Sequence, residues 1–133
     1  MTNVKSIFLS LMLALPGSAV AAKPHLSEIS IVTEGLIATG IAYEISEKCD
    51  AIRPRYIRGL SYLSSLKGYA RSLGYSNDEI KAYTDDRQEE VRLVKIARAR
   101  LESLGAIDGN EQSYCKVGKA QIAQKTAIGR LLR

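Results

Sequence analysis

Thr33 to Asp50, TEGLIATGIAYEISEKCD, decides the fold class. Ile37, Ile41 and Ile45 recur every four residues, which stacks them on one face of a helix. Glu44 and Lys48 stand in the favourable i,i+4 order for a helical pair. Cys49 and Asp50 then end the element, so a helix over 33–48 delivers a cysteine at its C-terminus.

The same helical spacing continues outward. Pro54 suits the first turn of a second helix, where its missing N–H is not needed. Ile57, Leu60, Leu63, Leu66, Ala70 and Leu73 give that helix an apolar stripe, and Gly74 stops it. Ser76 and Glu79 form a capping box that opens a short third helix carrying Ile80 and Tyr83. Asp85 with Gln88 offers a second box, followed by the stripe Val91, Val94, Ala97, Leu101, Leu104 and a stop at Gly105. Asp108-Gly109-Asn110 reads as a turn. A last helix is expected from about Ser113 to Arg133, with Gly118 and Gly129 permitting close approach. No sustained period-2 alternation occurs, so the expected fold is all-α: a compact bundle of four long helices and one short helix.

The first residues read as an address. Lys5 precedes the apolar run Ile7–Leu15, Pro16-Gly17 breaks it, and Ala19-Val20-Ala21 supplies small residues for cleavage. That order is a secretory signal peptide, cut after Ala21 or Ala22. The run is about half the roughly 20 residues needed to span a bilayer. The expected organisation is therefore a leader, 1–22, and a single helical domain, 23–133, with a periplasmic location and no membrane span in the mature chain.

The chain has 133 residues, 46% apolar and 25% charged, with 19 basic and 14 acidic groups. This excludes a disordered, collagen-like or multi-span membrane protein. Loss of Lys5 leaves the mature domain 18 basic against 14 acidic groups. There is one His and no Trp, which lowers the expectation of catalysis.

Two cysteines in an exported chain favour a disulfide between Cys49 and Cys115 over a metal site. Free thiols or an intermolecular bond are the alternatives. A bridge closing this loop contributes about 4 kcal/mol in the chain-entropy model, less if strained. It would set the end of the first helix beside the start of the last, packed antiparallel.

Three stretches together carry a resemblance: Gly35-Leu36-Ile37 through Lys48-Cys49-Asp50, Leu73-Gly74-Tyr75-Ser76 through Tyr83, and Tyr114-Cys115-Lys116-Val117-Gly118 through Ile128-Gly129-Arg130-Leu131-Leu132. With these, nearly the whole mature chain resembles a family of small exported bacterial proteins, domain of unknown function 5333. The resemblance implies export to a Gram-negative periplasm and the disulfide. It brings no activity and no functional residues.

The chemistry on offer is sparse. Asp85, Asp86, Glu89 and Glu90 could serve a divalent metal or paired acid–base work, but negative charge also simply favours a helix start. Asp108–Ser113 lacks the Gly and Glu of a calcium loop, having Ser113 and Lys119 at those places. His25 has no second His to help build a triad. No catalytic residue, metal ligand or cofactor site is assigned. The basic groups Arg53, Arg55 and Arg58, then Arg92, Lys95 and Arg98, then Lys116, Lys119, Arg130 and Arg133 read as solvated faces or as a surface for an acidic protein or membrane. Export disfavours nucleic acid. Tyr62 and Tyr69 share a stripe with Leu66 and serve either the edge of a core or a contact.

The expected function is non-enzymatic binding of a protein partner, for example as an accessory or assembly subunit on the periplasmic face of a membrane complex. Tyr62, Tyr69, Arg92, Lys95 and Arg98 are the candidate partner surface. The alternatives are a small hydrolase or lyase using Asp85 and Glu89, and a carrier of a small apolar ligand between helices. The oligomeric state is not legible.

Overall fold

The computed structural model describes Gly17 and residues 22–133. The leader expectation therefore lies outside the described residues, except at Gly17 and Ala22. Five helices follow: α1 (Ser30–Lys48), α2 (Tyr56–Ser72), α3 (Asn77–Thr84), α4 (Arg87–Leu104) and α5 (Glu111–Ala123). Two single 3-10 turns, Leu26–Glu28 and Gly129–Leu131, flank them. No strand occurs among the described residues, and the fold is all-α as expected.

The centre is α1. Its periodic face buries Ile37, Ala38, Ile41, Ala42 and Ile45, with Ile41 and Ile45 fully enclosed. Three helices, α2, α4 and α5, pack around it. Gly35 lies under Leu66 of α2, so close that a Cβ there would stand 2.5 Å from Leu66 Cδ1. Arg98 and Arg100 of α4 are about 200° apart around their helix. Arg98 reaches Glu44 at 3.6 Å and Arg100 pairs with Glu34, so α4 is tied to α1 from both flanks. Glu44 thus turns to Arg98 instead of pairing with Lys48.

Cys49, the C-cap of α1, is bonded to Cys115 in α5, with Cα atoms 5.2 Å apart. Four residues back, Ile45 packs where a Cβ on Gly118 would be. Cys49 with Cys115 and Ile45 with Gly118 advance in opposite directions, so α1 and α5 run antiparallel there.

The C-terminus differs from the sequence expectation. The last helix ends at Ala123, not Arg133. Lys125 takes a left-handed φ of 52°, and the Thr126 hydroxyl accepts the Gly129 N–H and donates to Gln121. The chain turns back so that Leu131 and Leu132 enter the main core, a burial that a straight helix could not give. Leu132 bridges Pro54 in antiparallel fashion, while Arg53 and Arg133 exchange backbone hydrogen bonds of 2.8 and 2.9 Å. Pro54 therefore precedes α2, which starts at Tyr56, and suits the bridge because it has no donor to waste.

Two apolar stripes also shift. On α2 only Leu66 and Ala70 are buried, while Ile57 and Leu60 are exposed. On α4 Ala97 and Leu101 are buried and Leu93 and Ile96 half-buried, while Val91, Val94 and Leu104 are exposed. The bulkier Leu93–Ile96 pair occupies the inward side and turns the valines out. The N-cap of α4 is Asp86, one residue later than expected, accepting from the Gln88 and Glu89 N–H groups. The Ser76–Glu79 capping box is present in full.

A second, smaller core joins the first turn, the start of α1, the end of α2 and α3. It holds Leu26, Val32, Ala70, Tyr75, Ile80 and Tyr83.

Candidate functional site

The acidic run at the α3–α4 junction is used up by local partners. Asp85 pairs with Lys81, and Asp86 caps α4. Glu90 pairs with Arg87, and Glu89 takes both the Arg92 guanidinium and the Tyr83 hydroxyl. The Arg92 hydrogen bonds hold the Glu89 carboxyl below the usual carboxylate range. A general acid needs the opposite shift. Burial, then the Glu89 charge, pushes the Tyr83 hydroxyl up to about 12, so it stays a neutral donor. His25 meets the Tyr83 ring edge-on, with centroids 5.8 Å apart, and its Nδ1 lies 2.7 Å from Ser27 Oγ. His25, Tyr83, Glu89 and Arg92 thus form a latch between the chain entry, α3 and α4. Of these four, His25, Glu89 and Arg92 stand out in sequence, Arg92 as part of a partner surface, while Tyr83 reads only as an apolar position, and no spacing shows the grouping. Among the described residues no group of three or more His, Cys, Asp or Glu side chains is placed to hold a metal ion.

The five candidate partner residues are not gathered in one place. Tyr62 is half-buried against the main core, and Tyr69 against the smaller one. Arg92 is engaged by Glu89. Lys95 and Arg98 line the same surface of α4, Arg98 while also reaching Glu44 of α1. There they share a stripe with Val91 and Val94, since positions 91, 94, 95 and 98 follow the helical repeat. Val91 is 67% exposed, too open to serve a core. Beside this stripe runs a groove of about 360 Å³ between α1 and α4, with Leu36, Tyr43, Leu93, Val94 and Ala97 along it. Gly40 lies in it, and even an added Cβ would find only Ala97, at 4.0 Å. Sequence reasoning missed this groove because it placed Val91 and Val94 inside.

A larger recess, about 880 Å³, opens between α1, α2 and α3. Leu26, Val32, Leu36, Leu63, Leu66 and Ile80 line it, with Lys67, Arg71, Asp78, Lys81 and Asp85 among its polar members. It is an open cleft rather than the enclosed cavity that a ligand carrier predicts. No helix among the described residues is long and apolar enough to cross a membrane.

No curated protein and no solved structure matches the chain. Residues 24–133 match the model of a family of unknown function, DUF5333, and the chain belongs to that family.

Proposed function

We propose that this protein is exported, sheds residues 1–22, and acts without catalysis of its own as a binding subunit on the periplasmic face of a membrane complex. The outer face of α4 receives the protein partner. The observation that carries this reading is the uncovered Val91–Val94 pair beside Lys95 and Arg98, continuous with the α1–α4 groove through Val94. An apolar centre with a charged rim is the make-up of a specific protein contact. Export is supported by the Cys49–Cys115 bond, which persists in an oxidising compartment.

A photo-crosslinking residue at Val91, compared with one at exposed Gln112 on α5, tests the reading in cells. The expected result is a discrete adduct from position 91 only, migrating with a large membrane assembly after mild detergent extraction. A chain that gives no adduct and migrates at monomer size overturns it.

A further inference from the structure

All 14 acidic residues avoid two segments of the chain. Residues 51–77 carry Arg53, Arg55, Arg58, Lys67 and Arg71 with no Asp or Glu. Residues 112–133 carry Lys116, Lys119, Lys125, Arg130 and Arg133, again with none. The fold joins these two segments. Arg53 and Arg133 exchange backbone hydrogen bonds, and Arg55 donates its N–H to Leu131 and its Nε–H to the Leu132 carbonyl. Ten cationic side chains therefore belong to one unit without acidic side chains, while the rest of the chain has nine cations against 14 acids. Among the described residues, none of the six around the junction (Arg53, Arg55, Arg58, Lys125, Arg130, Arg133) forms an ion pair. Arg55, Arg58, Lys125 and Arg130 surround a recess of about 360 Å³ that has Ile122 and Leu132 in its wall. The start of α2 adds further positive potential, having neither a side-chain cap nor an acidic residue in its first turn.

The same turns of α2 expose large apolar side chains. Tyr56 is 74% exposed, Ile57 86% and Leu60 69%. Nine residues separate Ile57 from buried Leu66, a half-turn in net rotation, so Ile57 points straight away from the core. Tyr56 and Leu60 stand on one flank of it and Arg58, with the recess, on the other. Farther along α2, Lys67 and Arg71 follow the Tyr56–Leu60 flank. An apolar ridge with Arg and Lys on both sides and no acidic side chain is the pattern of a helix lying in a bilayer interface. A free anion would need only the recess and would leave the ridge without a role.

We propose that this pole, the outward face of α2 with the folded-back C-terminal tail, docks on an anionic membrane surface. Ile57, Leu60 and Tyr56 enter the headgroup boundary, and Arg58, Lys125 and Arg130 hold lipid phosphates. The surface is distinct from the α4 face and does not depend on any protein partner.

Flotation of the purified, oxidised protein with lipid vesicles tests it. The protein floats with phosphatidylcholine vesicles containing about one third phosphatidylglycerol and not with phosphatidylcholine alone, and salt of about 0.5 M releases it. Removing two charges in R58Q/R130Q weakens partitioning roughly twenty-five-fold, at about a factor of five for each cation. The charge-matched K48Q/K95Q, on α1 and α4, leaves it unchanged. I57S/L60S weakens it on the order of ten-fold through lost apolar burial. All six positions are exposed, and an unchanged unfolding curve confirms that each variant is folded. Three outcomes overturn the proposal: no flotation with anionic vesicles, equal loss in K48Q/K95Q, or flotation unaffected by I57S/L60S. Retention on polyglutamate by a protein that ignores vesicles also overturns it and assigns the pole to an acidic protein.

Discussion

The two cores are held together by different means. Around α1, α5 and the tail the constraints are covalent and steric: a disulfide, the backbone exchange of Arg53 and Arg133, and glycines with no room for a side chain. In the corner formed by the chain entry, the end of α2 and α3, the apolar core is small and polar pins do much of the joining. Lys23 Nζ reaches the Gly74 carbonyl at 2.8 Å and the Glu79 carboxylate at 3.0 Å, and lies over the Tyr75 ring. The Tyr75 hydroxyl donates to the Pro24 carbonyl, and Tyr83 donates to Glu89. The first region resists changes of pH and salt. The second responds to both, because its contacts depend on charge.

Gly129→Ala attacks the steric side and carries the largest expected effect. A Cβ at Gly129 would overlap the backbone carbonyl of Gln121, and backbone cannot swing aside as a side-chain end can. The tail must lift, withdrawing Leu131 and Leu132 from the core. The expected loss is on the order of 5 kcal/mol, from two buried leucines at about 1.5–3 kcal/mol each. Urea unfolding measures it. A variant within about 0.5 kcal/mol of wild type would show that the tail is not anchored there.

Replacing both cysteines, C49A/C115A, comes next, with an expected loss of about 4 kcal/mol. Amide exchange sharpens the comparison. Protection should fall in α5 and the last turn of α1, while α3, held by its own pins, keeps its protection relative to the global unfolding limit. Equal loosening of α3 would merge the two regions into one cooperative unit.

These two constraints were unequally legible. Cys49, at the end of a clear Ile37–Ile41–Ile45 repeat, signalled its bond because chemistry and helix position agreed. The tail did not. Ile128 and Leu131 suit a continued helix, and the turn depends on the Thr126 hydroxyl and on a glycine meeting the backbone of Gln121, a contact within the fold that local pattern does not encode. The α4 stripe failed for a related reason. Two apolar stripes were available, and volume inside the finished core chose Leu93 and Ile96 over Val91 and Val94. Ser76 with Glu79 was read correctly because a capping box is complete within four residues. Of the candidate partner surface, Lys95 and Arg98 are adjacent by helical repeat alone, whereas the burial of Tyr62 and Tyr69 and the capture of Arg92 depend on neighbours. The acid-free pole is visible in the charge order of the chain, but only the Arg53–Arg133 pairing makes it one surface.

On the polar side, Ser76→Ala removes the acceptor for the Glu79 N–H, at 3.1 Å, and breaks the box. The expected loss is about 1 kcal/mol. If the corner is a separate unit, exchange should accelerate in α3 and leave α5 as it was. A loss spread evenly over the molecule would break the division between the two regions.

Acid gives the gentlest test, and its sign follows from two carboxyls of the corner. The Ser76 N–H, then Lys23, lowers the Glu79 carboxyl from its ordinary 4.5, and Arg92 lowers Glu89. A carboxyl held low in the folded state contributes stability that is present above the unfolded value and is lost as pH falls through the folded one. Both groups lie in contact with solvent, so each contribution is modest. Glu34, lowered by Arg100, acts likewise on the α1–α4 contact, but that contact also has the main core behind it. As pH falls below 4.5, α3 amides should therefore lose protection before those of α1 and α5, and R92Q, which removes the largest cause of the Glu89 shift, should flatten the α3 response. Parallel loss in all three helices would mean that the ion pairs of the corner are ornaments on a single core, and that the covalent side alone sets the stability of the whole.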